Sequence, residues 1–149
     1  MAPTGADRPL LLVVAAALVD AAGRVLLAER PKGKTLAGLW EFPGGKLDPG
    51  ESPEAALARE LAEELGVEAA AAAMQPLSFA SHAYPGFHLL MPLYLLRTWR
   101  GLPEGREGQA LAWVPVGELQ AYAMPPADLP LVQALQRWAG TQGSSSVSQ

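Results

Sequence analysis

The chain of 149 residues contains no cysteine. That excludes a disulfide scaffold, thiolate catalysis and any zinc or iron–sulfur site built on sulfur. Histidine is nearly as scarce. Only His82 and His88 occur, so a metal here would be held mainly by oxygen. Charged residues make up 17%, against about 25% in an average domain. The net charge of −4 offers no basic face, so no direct nucleic-acid binding is expected. The apolar run Leu10–Val19 falls well short of the ~20 residues that span a membrane, and no membrane association is expected. What the chain does have is apolar side chains in half of its positions, enough to bury the core of one domain. Its 15 glycines and 14 prolines follow no collagen-like period and point to a loop-rich globular fold.

Leu10–Val19 also has the length of a signal-peptide core. However, Asp7 stands beside Arg8 ahead of it, and a Gly-containing turn at Asp20–Gly23 leads into a second apolar run, Arg24–Arg30. These features favour a buried β-hairpin and, with the missing cysteines, a cytoplasmic location. Pro31–Gly50 reads as loop, short strand (Leu39–Phe42) and loop. Ser52–Leu65 is the clearest helix: Ser52 suits the N-cap, Pro53 the first helical position and Gly66 the residue that ends it. The alanine tract Ala69–Ala73 is ambiguous. Leu77–Tyr84, Phe87–Trp99 and Leu111–Pro115 read as strands, and Pro130–Ala139 as a terminal helix with Leu131, Leu135 and Trp138 on one face. Residues 1–8 and 140–149 lack apolar periodicity and are expected to be disordered, leaving a single domain over 9–139. The order of elements implies an α+β fold with a mixed sheet and helices packed on it.

The first helix carries the chemistry. At 100° per residue, Glu63 and Glu64 flank Glu60 on one narrow stripe. Leu57, Leu61 and Leu65 form the adjacent stripe, which should face the sheet. The carboxylates therefore sit at the rim of the core, where like charges destabilise the helix and raise one another's pKa. Arg59 can pair with Glu63, but one guanidinium does not neutralise three anions. A hard divalent cation would, and Mg²⁺ takes a few carboxylates together with substrate phosphates. Upstream, Trp40-Glu41-Phe42-Pro43-Gly44-Gly45-Lys46 provides paired glycines for close backbone approach and a lysine for phosphate.

Gly45, five residues, Glu51, seven residues and then Arg59-Glu60-Leu61-Ala62-Glu63-Glu64-Leu65-Gly66-Val67 resembles the Nudix box without a departure. A chance match to its seven fixed positions is on the order of 10⁻⁹ per start. The flanks Leu27-Ala28-Glu29-Arg30, Arg106-Glu107-Gly108-Gln109 and Pro125-Pro126-Ala127-Asp128 are similar to the MutT-type branch. The resemblance implies a Nudix-type α/β/α sandwich with a catalytic loop-helix and a C-terminal helix. It also implies hydrolysis of a nucleoside triphosphate to monophosphate and pyrophosphate, with Mg²⁺ or in its place Mn²⁺. On the family pattern Glu60, Glu63, Glu64 and the Gly44 carbonyl carry metal, joined by Glu107 from a later loop. Glu60 is the preferred general base and Glu107 the other candidate. Arg59 orients the glutamates, with Glu51 in the same supporting layer, and Arg30 and Lys46 meet the phosphates. Phe42 is placed in the base pocket. His88 is expected to be packed rather than catalytic, and Trp40, Trp99, Trp113 and Trp138 to cover core or sheet.

Asp128 bears on the base. An ionised aspartate can accept both adjacent donors of a guanine edge, N1–H and N2–H₂, whereas cytosine needs a donor and an acceptor, from Asn or a protonated Asp. The expected substrate is 8-oxo-dGTP, for removal of oxidised nucleotides from the pool. The alternatives are CTP or oxidised dCTP, then another Nudix pyrophosphatase, then a non-catalytic Nudix-like binding domain. A monomer or weak homodimer is expected.

Overall fold

The computed structural model describes the backbone of residues 8–147, so the expected disorder at 1–7 and 148–149 lies outside the described residues. Strand β1 (Leu10–Leu18) is followed by β2 (Arg24–Glu29), β3 (Trp40–Glu41), β4 (Gly44–Lys46), α1 (Pro53–Leu65), β5 (Met74–Tyr84), β6 (Phe87–Leu96), β7 (Leu111–Pro115) and α2 (Leu129–Val147). The strands form two sheets, one ordered β4-β1-β6-β5 and the other β3-β2-β7. β1 runs parallel to β6, and the remaining pairs are antiparallel, so the fold is mixed as expected.

The expected β1–β2 hairpin does not form. The turn itself is present: Asp20 Oδ1 accepts from the amides of Ala22 at 3.0 Å and Arg24 at 2.8 Å. Beyond the single bridge Val19–Val25, however, the strands part, β1 pairing with β4 and β6, β2 with β3 and β7. Period-2 alternation then divides the core. Ala15, Ala17, Val25, Leu27, Leu93 and Leu95 face the side covered by α2, while Val14, Ala16, Leu18, Leu26 and Leu96 face α1. In β6 the parallel ladder skips the pairs opposite Val13 and Val14, where Pro92 has no N–H to give.

Helix α1 forms as its local signals dictate. Ser52 Oγ accepts from Ala55 N at 3.1 Å, Gly66 ends the helix in the left-handed region, and Leu57, Leu61 and Leu65 are fully buried against β1. Several boundaries differ from expectation. Gly44–Lys46, read as loop, is a strand on β1; β5 begins at Met74 rather than Leu77; β6 ends at Leu96 rather than Trp99; and α2 continues to Val147, through most of a segment expected to lack structure. The ambiguous alanine tract holds a 3₁₀ turn at Ala71–Ala73. Leu131 and Leu135 of α2 are fully buried, and Trp138 packs beside them under the Arg97 guanidinium. Trp99 stacks on Trp113, and Trp40 meets Tyr122 edge-on, as covering aromatics do. Among the described residues no helix is long and apolar enough to cross a membrane.

Candidate active site

Two glycines bring β4 against α1. A Cβ on Gly44 would lie 1.9 Å from the Val14 carbonyl oxygen, so this strand approaches β1 more closely than any side chain allows. A Cβ on Gly45 would lie 2.4–2.7 Å from the carboxyl atoms of Glu60, so that carboxylate occupies the space above Gly45. The Gly44 amide donates to Glu64 Oε2 at 3.3 Å. This bond ties β4 to the carboxylate stripe of α1.

Arg59 organises the acidic stripe. Its Nε and Nη2 donate to the two oxygens of Glu51 at 2.8 and 2.9 Å, a bidentate pair. Nη1 donates to Glu60 Oε1 at 2.9 Å, and Nη2 also reaches the Lys46 carbonyl at 3.1 Å. Glu63 stands 3.6 Å from the same guanidinium and is mostly exposed. Hydrogen bonds from Arg59 and from the Asp48 amide hold the Glu51 carboxyl down at about 2. Glu64 shows the opposite effect. Burial, the charges of Glu60 and Glu107 and a hydrogen bond shared with Glu60 push it up to about 9.

Glu107 reaches this cluster because its loop caps α1. The amides of Glu104 and Arg106 donate to the carbonyls of Leu65 and Glu64 at 2.9 and 3.0 Å. Helix-end carbonyls that lack partners in the helix are satisfied in this way. The cluster as it stands is open. Among the described residues no three carboxylate or imidazole side chains close on one point tightly enough to hold an ion. Its donor set still fits a hard divalent cation: oxygen ligands, and two carboxyls in contact whose mutual repulsion a positive charge would relieve.

A second cluster lies where the β2–β3 sheet meets the start of α2. Asp128 is 4% exposed and accepts from the Phe42 amide. Arg30 Nη1 donates to Glu41 at 3.1 and 3.3 Å, and its Nε reaches the Thr35 carbonyl. Burial first, then the Glu41 charge, raises Asp128 to about 7; the Phe42 amide and Arg30 oppose this. Burial likewise raises Glu41 against the pull of Arg30.

The expected residues thus fall into two groups. Glu51, Arg59, Glu60, Glu64, Glu107 and Gly44 come together, whereas Glu63 stays at the exposed rim. Arg30, expected at the phosphates, is committed here to Glu41 beside Asp128. Phe42, expected to meet the base with its ring, has that ring in the core at 4% exposure and offers its amide to Asp128 instead. Lys46 is exposed and is engaged through its carbonyl. His88 is half-buried on β6 with Nε2 2.7 Å from Ser81 Oγ. Two residues escaped the sequence reading. Glu41 is an acid between two aromatics in an apolar strand, which was a usable signal. Gln109 follows Glu107 by two positions and bonds to both the Glu107 amide and the Glu64 carbonyl.

The NUDIX domain family model matches residues 14–134. The chain is 40% identical over 126 residues to the CTP pyrophosphohydrolase of Escherichia coli K12, covering 83% of this chain and 90% of that one. It is 39% identical over 130 residues to the 8-oxo-dGTP diphosphatase of Haemophilus influenzae, covering 87% and 93%. The solution structure of the E. coli ORF135 protein superposes with a TM-score of 0.79 at 36% identity, over 93% of this chain and 96% of that one.

Proposed function

The chain belongs to the Nudix family of hydrolases, and on that premise we propose that it is a divalent-cation-dependent nucleoside triphosphate pyrophosphohydrolase whose substrate is 8-oxo-dGTP. Its products are the nucleoside monophosphate and pyrophosphate. The observation that supports this reading best is the pairing of Glu60 with Glu64 beside Gly44 and Gly45, near enough to Glu107 for its charge to act on Glu64. Glu60, Glu63, Glu64 and Glu107, with Gly44, would hold Mg²⁺, or Mn²⁺ in its place. A bound cation of this kind polarises the phosphoryl oxygens and stabilises the charge that builds there. Glu60 takes the proton of the attacking water as general base, and Arg59 keeps its carboxylate oriented through the bond to Oε1. Arg30 and Lys46 bind phosphate once Arg30 is released from Glu41. The catalytic unit is a single domain over 9–139, acting in the cytoplasm as a monomer or weak homodimer without direct nucleic-acid contact.

Asp128, with Phe42 beneath it, reads the base. Its ionised form accepts both donors of the guanine edge. A second reading, CTP or oxidised dCTP, draws on one observation: a carboxyl poised near 7 is partly protonated at neutral pH and then presents the donor and acceptor that cytosine requires. The relative named CTP pyrophosphohydrolase supports the same alternative. The test is kcat/KM with Mg²⁺ across 8-oxo-dGTP, dGTP, CTP, 5-hydroxy-dCTP and ADP-ribose, with pyrophosphate and phosphate distinguished. A clear preference for 8-oxo-dGTP with pyrophosphate release supports the first reading. Preference for the cytosine nucleotides replaces it with the second, and preference for ADP-ribose removes both.

A further inference from the structure

The loop that carries Glu107 is tied to the catalytic helix by more than its backbone. Gln109 Oε1 accepts from the Glu107 amide at 2.8 Å, and Gln109 Nε2 donates to the Glu64 carbonyl at 3.0 Å. One planar amide therefore spans the two residues whose carboxyls must meet. Glu64 receives two donors on its carbonyl, the Arg106 amide and Gln109, and so has both lone pairs occupied. The loop beneath is closely folded. The Gly108 amide donates to the Gly105 carbonyl at 3.1 Å, and a Cβ on Gly105 would fall 2.1 Å from the Gln109 carbonyl oxygen.

We propose that Gln109 is a positioning residue: its side-chain amide clamps the Glu107 backbone to the last turn of α1 and so sets the Glu107 carboxylate against Glu64. The job needs an acceptor and a donor on one rigid group at the end of a two-methylene stem, which the glutamine carboxamide provides. Glutamate would lose the donor, and asparagine is one methylene too short to keep both bonds. The proposal rests on the assignment of Glu107 to the reaction centre.

Gln109→Met keeps the length of the side chain and loses both bonds. In the substrate-free protein, Mn²⁺ binding followed by electron paramagnetic resonance should weaken about tenfold, the scale seen when outer partners of metal ligands are removed. kcat should fall with little change in KM, and the melting temperature should barely move. Gln109→Ala carries the same expectation, so that one misfolded variant does not end the test. A lower melting temperature with unaltered Mn²⁺ binding would reduce Gln109 to a structural contact and overturn the proposal. The deciding comparison combines Gln109→Met with Glu107→Gln. If the amide works through Glu107, the double variant is no worse than Glu107→Gln alone; additive losses overturn the proposal. Wild-type turnover and Mn²⁺ binding in Glu107→Gln by itself would remove the assignment of Glu107, and the proposal with it. A damaged Glu107→Gln beside an unaffected Gln109→Met would remove only the proposal.

Discussion

Arg59 divides its guanidinium among Glu51, Glu60 and the Lys46 carbonyl, with Glu63 at the edge. A planar fork can serve these acceptors at once, but a lysine ammonium cannot match the bidentate geometry at Glu51. Arg59→Lys should therefore lower kcat about tenfold or more while the protein stays folded, because Glu60 loses the bond that aims it. Steady-state kinetics beside a thermal melt separate the two effects, and an unchanged kcat would deny Arg59 its orienting role. Glu60 itself lies above Gly45 and beside Glu64, on the helix face that meets β4. Glu60→Gln keeps its shape and removes its basicity. A drop in kcat of about 10²–10⁴-fold is expected, with circular dichroism unchanged. A variant close to full activity would transfer the base role to Glu107.

At the level of elements, β4 and α1 meet through two adjacent glycines that should respond differently to the same change. An alanine methyl at residue 44 would strike the backbone of Val14 and Ala15, which cannot move without lifting β4 from β1. Gly44→Ala should cost about 3 kcal/mol of stability, measured by urea unfolding. At residue 45 the obstacle is the end of the Glu60 side chain, which can swing away. Gly45→Ala should lose no more than about 1 kcal/mol, while kcat falls about 10²-fold because the carboxylate is displaced. Equal stability losses in the two variants would contradict this division. The same pair shows where the sequence was legible. Helix α1 could be read because its cap, its proline, its leucine stripe and its closing glycine are all local. The wheel likewise placed Glu60 and Glu64 together at the rim of the core. Gly44–Lys46 has no β-propensity of its own and becomes a strand only by pairing with β1, some thirty residues earlier. The Asp20–Gly23 turn was equally readable, but which sheet β2 joins is decided by β3 and β7. Glu41 and Gln109 were not assigned for the same reason: Arg30, Asp128 and the Glu64 carbonyl are neighbours only in the folded chain.

On the scale of the molecule, Asp128 is held where α2 begins, above Phe42 in the core and facing Glu41 and Arg30. Folding raises its carboxyl from 3.8 to about 7. Between those values the folded protein binds more protons there than the unfolded chain, so stability must fall as pH rises across this window. Below it both states are protonated and the difference vanishes; above it the full cost remains, on the order of 4 kcal/mol. Other raised carboxyls, including Glu41 and Glu64, tilt the total in the same direction, so the wild-type profile alone does not isolate Asp128. Asp128→Asn does: an amide has no proton to gain, and its oxygen can still accept from the Phe42 amide. Urea unfolding at pH 4, 6 and 8 should show the variant gaining on the wild type as pH rises, with the two converging near pH 4. Parallel profiles would mean that Asp128 ionises normally, which would also remove the protonated form on which reading a cytosine depends. A diverging pair would show that the fold bears a standing cost to bury a carboxyl beside another carboxyl. On the proposed guanine reading, a ligand whose base edge supplies the missing donors would offset that cost. Asp128→Asn should then exchange guanine for cytosine nucleotides in kcat/KM in the same preparation that gains stability.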